Sequence, residues 1–507
     1  MIRICLNKID YEYDIRGLLT SFYPGEEIEK NPVLVEEIPD SSFAGDGQPS
    51  EGFGEEKSET SVAGRPDRTV YAIYEEDGIR TAYEAGGRIS ARGKVYVPAS
   101  DRKATKIALK KELYALFSAD TGKELPWGTL TGIRPTKIAM GLLEEGASDE
   151  DIRNYMKGQY LTGEKKTSLA IEIAHREKEI LSRIDYERGY SLYIGIPFCP
   201  TTCFYCSFTS YPLARFEKHV DAYLDCVCKE IDYTAEAFRG RPLNSVYIGG
   251  GTPTTLSAEQ MDRLLTKVEQ TLDLSHLLEF TVEAGRPDSI TEEKLRVIKK
   301  HRVTRISINP QTMKQKTLDI IGRRHTVEQI VEIYELARTL GFDNINMDII
   351  LGLPDETKED VEHTMKELSR LRPDNLTVHS LAVKRASRLN RQREDYAGYH
   401  MENSDAMMQI TEDYARGMGM APYYLYRQKN MAGNLENVGY AMPGKAGIYN
   451  ILIMEEKQSI VALGAGSTTK AVFPDGRIER ADNIKDVLLY MEKIDEMIER
   501  KKQLFQF

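Results

Sequence analysis

Cys199, Cys203 and Cys206 fall within the stretch "CPTTCFYC". A thiolate is a metal ligand, and three in one short loop can wrap three corners of one centre. A [4Fe–4S] cube normally takes four thiolates. Three leave one iron with an open position, the arrangement that distinguishes a catalytic metal from a structural one. A zinc site and three unrelated core cysteines are the alternatives. Zinc fingers need a second pair of cysteines or histidines, and none lies near. Cys226 and Cys228 stand two apart in a helical pattern, so they face different ways and share no metal easily. Cys5 stands alone.

Further along, "YIGGGTPT" holds Gly250, Gly251 and Thr252. Glycines let backbone N–H groups approach a ligand closely, although a tight turn has the same composition. Glu283 ends "FTVE", Gln311 follows "RISINP", and Asp348 lies inside "NMDIILGL". Polar groups in apolar strands are costly unless paired, so as a set they mark a mouth where strands end.

Those strands set the architecture. Apolar runs at "SLYIGI", "SVYIGG", "LEFTVEA", "RISIN", "INMDIILGL" and "NLTVHSLA" alternate with helical patterns. One such pattern, "FEKHVDAYLDCVCKEIDYTAEAF", puts Phe216, Val220, Tyr223, Val227 and Ile231 on one face; another ends at Gly341, a C-cap residue. Alternating strands and helices predict parallel βα units. Six units in residues 189–385 fall short of the ~250 residues of a closed eight-unit barrel. The expected fold is therefore α/β, a partial (β/α)6 barrel open on one side. Before it, residues 1–188 read as an α+β domain with an acidic, Ser/Gly-rich segment at about 36–66 that cannot bury enough surface to order itself. After it, residues 386–507 form an α+β region whose fold the pattern does not specify.

The 507 residues are 41% hydrophobic and 29% charged, a globular composition. The longest apolar runs are far short of the ~20 residues that span a bilayer. "MIRICLNKIDYEYD" lacks the apolar core of a secretory signal. A cytoplasmic protein is expected. The formal charge of −11 argues against a broad nucleic-acid footprint.

"CPTTCFYC" resembles the CxxxCxxC signature of radical S-adenosylmethionine (SAM) enzymes. That resemblance implies a [4Fe–4S] cluster held by Cys199, Cys203 and Cys206. It also implies SAM chelating the open iron, and cleavage of SAM to a 5′-deoxyadenosyl radical. From about Leu192 to Ala382 the chain resembles the oxygen-independent coproporphyrinogen III oxidases and the haem chaperones of the same fold. "LTGIRPTKI" and "YYLYRQKNMAGNLENVGY" resemble the coproporphyrinogen dehydrogenase branch. By resemblance, Tyr193, Gly250, Gly251, Thr252 and Glu283 contact SAM. Tyr205, Gln311, Arg323, Asp348 and Ala382 match further SAM contacts, some of them to a second SAM. No catalytic residue is implied beyond the cofactors. The implied reaction converts two propionates of coproporphyrinogen III to vinyl groups, giving protoporphyrinogen IX. Its implied partners are a tetrapyrrole and an electron donor such as flavodoxin or ferredoxin. Arg427 and Lys429 are candidate propionate contacts. Phe208 stands where the established oxidases carry a further cysteine and the chaperones an aromatic residue. A haem chaperone and a radical SAM enzyme acting on another tetrapyrrole therefore remain alternatives.

Overall fold

The computed structural model describes all residues except 40–65, 98–100, 133, 383, 385–386, 393–395, 397, 428–434 and 506–507. Most of the expected acidic loop, and Lys429, thus lie outside the described residues. The chain forms two compact units. One comprises Met1–Gly132 and Glu150–Thr167, the other Ile133–Asp149 and Ser168–Phe507.

The first unit is a five-stranded sheet backed by helices. Its strands are β1 (Ile2–Leu6), β2 (Val33–Leu34), β3 (Arg68–Tyr74), β4 (Gly78–Ala85) and β5 (Arg88–Tyr96), in the order β2-β1-β3-β4-β5. The helices Glu12–Phe22 and Arg102–Thr121 bury Ile15, Leu19, Leu113 and Phe117 in one core with Ile4 and Val70. The helix Arg102–Thr121 stops at Gly122, whose φ of 67° is the left-handed C-cap.

The second unit carries the βα rhythm. Its strands are β6 (Tyr190–Ile196), β7 (Phe198–Cys199), β8 (Tyr211–Pro212), β9 (Leu243–Gly250), β10 (Glu279–Gly285), β11 (Arg305–Ile308), β12 (Ile345–Leu351), β13 (Asn375–Ser380), β14 (Ala421–Tyr426), β15 (Asn437–Ala441), β16 (Ser459–Leu463), β17 (Thr468–Val472) and β18 (Ile478–Asp482). The six expected strands are β6 and β9–β13, each parallel to the next within the set. They lie in one sheet of order β14-β15-β13-β12-β11-β10-β9-β6-β16-β17-β18. Among the described residues β14 and β18 are its two ends, so the sheet does not close into a barrel. Two of the intervening helices start on reciprocal side-chain caps. Ser257 with Gln260, and Thr326 with Gln329, form capping boxes ahead of Ala258–Thr271 and Val327–Thr339. Among the described residues no helix is long and apolar enough to cross a membrane.

Residues after 386 complete this sheet. β15 and β14 add antiparallel strands beyond β13, and β16 adds a parallel strand beside β6. A buried carboxylate fastens that return. Glu230, on the helix Val220–Ala237, accepts from Lys501 at 2.6 Å, Asn483 at 2.9 Å, Tyr490 at 2.5 Å and the Gly464 N–H at 2.8 Å. Both oxygens are engaged, the condition for burying a charge without a large penalty.

One helix begins later than its pattern predicts. Phe216 belongs to a separate turn, Leu213–Phe216, and a 3-10 turn at Glu217–His219 breaks the axis before Val220. Val220, Tyr223, Val227 and Ile231 are buried as expected. Phe216 instead packs on Phe198 and Tyr211, with ring centroids 6.1 and 5.2 Å away.

Candidate functional site

The loop after β6 is held shut at its base. β7 pairs with β8, and the Tyr211 N–H donates to the Pro197 carbonyl at 2.8 Å. Within the loop the Cys206 N–H reaches the Cys203 carbonyl, and the Phe204 N–H donates to Ile321 O, both at 3.2 Å. Cys199 and Cys203 are buried, Cys206 half-buried, and all three are free thiols on the wall of one cavity of about 590 Å³. Each sulfur has a polar hydrogen nearby. Thr252 Oγ1 lies 3.4 Å from Cys199, Arg286 Nη1 3.8 Å from Cys203 and Ser210 Oγ 3.9 Å from Cys206. Burial pushes the Cys199 thiol up to about 11 against the Thr252 hydrogen bond, and burial likewise raises Cys206. Loading a metal here must therefore displace protons.

The glycine loop after β9 closes on the cysteine loop through backbone. The Gly251 N–H donates to Ile196 O and the Thr252 N–H to Phe198 O, both at 2.7 Å. A Cβ on Gly251 would stand 2.6 Å from Phe198 O, and Gly250 has φ 109°. Only glycine supplies that geometry.

Glu283, on β10, faces the cavity and accepts from Tyr247 OH. Burial raises its carboxyl to about 7, and Asp348 adds to the rise; Tyr247, Arg305 and the Gly250 N–H oppose it. Burial would raise Asp348 too, but His379 at 3.8 Å, Asn346 at 2.6 Å and the Arg305 charge hold it below the ordinary carboxyl value. Two neighbouring carboxyls with diverging affinities for a proton can play different roles. Gln311 sits at φ 70°, held by a bridge to Ile349. A left-handed side-chain residue costs energy and collects at functional sites. Arg323 is 7% exposed; its Nη1 donates to Asn309 O at 2.5 Å and its Nη2 lies 3.4 Å from Tyr205 OH. Burial drives the Tyr205 hydroxyl upward.

Every position named from the sequence for the cluster or SAM lines this one cavity: Cys199, Cys203, Cys206, Tyr193, Tyr205, Gly250, Gly251, Thr252, Glu283, Gln311, Arg323, Asp348 and Ala382. Arg427 does not join them. It is 3% exposed, and its Nε donates to Leu435 O at 3.3 Å. Cys226, buried, and Cys228, half-buried, lie on the helix Val220–Ala237 away from the trio. Phe208 is 70% exposed at the cavity lip, with Lys384 Nζ 5.5 Å from its ring centre.

Sequence reasoning missed several residues of the wall. Arg286 pins the cysteine loop: Nη1 donates to Thr201 O at 2.9 Å and Thr201 Oγ1 at 2.8 Å, while Nη2 pairs with Asp288 at 2.7 Å. Tyr247, Tyr193 and Tyr449 stack as a trio, with ring centroids 6.2 Å (Tyr193–Tyr247), 4.5 Å (Tyr247–Tyr449) and 6.3 Å (Tyr193–Tyr449) apart. Arg305 and Ser307, two apart on β11, share the inward face. That period-two alternation in "RISIN" was the available signal.

A sequence profile of the radical SAM superfamily matches residues 193–368. Over 402 residues the chain is 43% identical to the oxygen-independent coproporphyrinogen-III oxidase-like protein HemZ of Bacillus subtilis, covering 77% of this chain and 80% of that protein. The chain belongs to this radical SAM family. It is also 33% identical over 283 residues to the heme chaperone HemW of Lactococcus lactis, covering 56% of this chain and 70% of the other. Coproporphyrinogen III oxidase HemN of Escherichia coli, a radical SAM enzyme, shares the fold with a TM-score of 0.50 at 23% identity, over 63% of this chain and 73% of that one. As in the rest of the radical SAM superfamily, the cofactors are a [4Fe–4S] cluster and SAM.

The cavity suits both. Among the described residues no three His, Cys, Asp or Glu side chains close on one point, as a single metal ion requires. A cube instead takes one thiolate at each of separate corners. Ser307 Oγ, Asn309 Oδ1 and Arg323 Nε are buried in the wall without a partner among the described residues. Such atoms fit a polar, zwitterionic ligand.

Proposed function

We propose that this chain catalyses the oxygen-independent oxidative decarboxylation of coproporphyrinogen III to protoporphyrinogen IX in the cytoplasm. Each reacting propionate loses a hydrogen atom from its β-carbon, one electron and CO₂, and becomes a vinyl group. The observation that carries the reading is the cavity: three thiols, a glycine cradle and a carboxylate pair face one space in a chain most of whose length aligns with HemZ.

In this reading Cys199, Cys203 and Cys206 hold three irons, and the cluster with SAM supplies a hydrogen-abstracting carbon radical. Gly250, Gly251 and Thr252 present backbone to the methionine part of SAM, with Tyr193 beside them. Glu283 accepts its hydroxyl or amino protons. Tyr205, Gln311, Arg323, Asp348 and Ala382 line the space beyond, where a second SAM or the substrate edge fits. The Tyr193–Tyr247–Tyr449 stack keeps water from the reacting carbon. The electron comes from a small redox protein of the flavodoxin or ferredoxin type.

A second reading, haem chaperone, draws on the likeness to HemW and on Phe208 at the lip of the cluster loop. The test is anaerobic: reconstitute the cluster, add reductant, SAM and coproporphyrinogen III, and follow products by mass spectrometry. Vinyl product with CO₂ and 5′-deoxyadenosine is expected. SAM cleavage without vinyl product sinks the first reading; haem binding without SAM cleavage selects the second.

A further inference from the structure

We infer that Arg305 is a carboxylate site at the floor of the cavity, taking an unreacted propionate of the tetrapyrrole. The inference rests on the tetrapyrrole reading above, in either form. Coproporphyrinogen III keeps two propionates through the reaction, and haem carries two, so a buried cation away from the reacting carbon has work in both.

Arg305 is the first residue of β11 and is 2% exposed, yet it lines the cavity. Its Nε and Nη2 are buried with no hydrogen-bond partner among the described residues. Neighbouring carboxylates are committed elsewhere. Glu279 accepts from Thr281 Oγ1 at 2.8 Å and from the Ile448 N–H. Glu283 accepts from Tyr247, and Asp348 from Asn346. A buried guanidinium with unused donors is expensive, and its planar fork matches a carboxylate. Ser307, on the same face of β11, also has an unpartnered hydroxyl, so the strand offers a ladder of free polar groups down the wall.

Arg305 pairs with Thr281 on β10, two residues before Glu283. Asn309, which follows β11, lies four residues further, about 13 Å along an extended chain, and is level with Arg323 and the mouth. A tetrapyrrole with one propionate at the cluster places another carboxylate about that far away.

The test uses the anaerobically reconstituted holoprotein with SAM and, as probes, coproporphyrin III and its tetramethyl ester, followed by Soret absorbance. Arg305→Met should lower affinity for the acid by about 10- to 100-fold. The same variant should change affinity for the ester by less than twofold. Arg305→Lys, which keeps the charge and loses the fork, should fall between, and it carries the same contrast should the methionine variant not fold. Equal loss for acid and ester makes Arg305 a packing element and overturns the inference. Loss of SAM in place of the porphyrin overturns it too, as does an Arg305→Met protein that binds the acid like wild type. Wild-type protein that binds no tetrapyrrole overturns the reading beneath it.

Discussion

Arg286→Met should loosen the cysteine loop before any cofactor is present. The guanidinium is 3% exposed and, besides its contact to the Cys203 sulfur, makes four hydrogen bonds to oxygen: two to Thr201 at 2.9 and 2.8 Å, and two to Asp288, Nη2 at 2.7 Å and Nε at 3.0 Å. Removing one member of a buried, hydrogen-bonded pair costs about 3–5 kcal/mol, because the partner charge stays behind. Among the described residues Asp288 would keep His325 alone, 3.8 Å away. Hydrogen exchange of the apo protein reads this directly. The Phe204 amide donates from within the loop and the Tyr211 amide at its base. If Arg286 closes it, both should exchange about 100- to several-thousand-fold faster in the variant, with the helix Ala258–Thr271 unchanged. Iron per chain after reconstitution should fall with them. Exchange within tenfold of wild type and full iron loading would refute the pinning argument. Burial would raise the Asp288 carboxyl, but His325 and Arg286 hold it below the ordinary value. Its contribution is present above the unfolded value of ~3.9 and is lost as the solution is acidified below that.

Other outcomes can be checked more briefly. Cys203→Ala should lose the visible cluster absorbance and SAM cleavage; retaining either would displace the metal site. Glu283 is raised in the folded apo state to about 7, so its stabilising contribution is complete below ~4.3 and disappears as pH rises through 7. Glu283→Gln should flatten that slope in urea melts, by about 3 kcal/mol between pH 4 and 8. Wild-type SAM affinity should strengthen as pH passes 7, and Glu283→Gln should remove that dependence. Gly251→Ala should bind SAM at least tenfold more weakly, since its Cβ meets Phe198 O at 2.6 Å and must push the two loops apart. Lys501→Met should destabilise the second unit by about 3–5 kcal/mol, by leaving Glu230 buried and under-paired.

The core of the site was legible because local pattern and local chemistry coincide there. The cysteines lie in one loop, the glycines follow the next strand, and each parallel strand is an apolar run long enough to read. What escaped depends on partners distant in sequence. Arg286 follows "VEAG" and looks like any loop arginine; only Thr201, 85 residues earlier, gives it a role. β16 is five residues, four of them apolar, in a segment with no neighbouring rhythm, and periodicity cannot separate so short a strand from a buried helical turn. Charge makes Arg427 a candidate propionate contact, whereas burial places it against Leu435.

The pairing of β16 with β6 also sets a clock on assembly. Ser191 on β6 bonds Gln458, just before β16, across 267 residues. At ~5–20 residues per second, the ribosome needs roughly 13–55 s after making β6 to deliver its neighbour. For that interval the edge of the sheet beside the cysteine loop stands unpaired, and an unpaired edge invites wrong partners. Efficient maturation of this protein in a cell should therefore depend on what occupies that edge during synthesis, and slowing translation between residues 200 and 458 should lower the yield of iron-loaded chain.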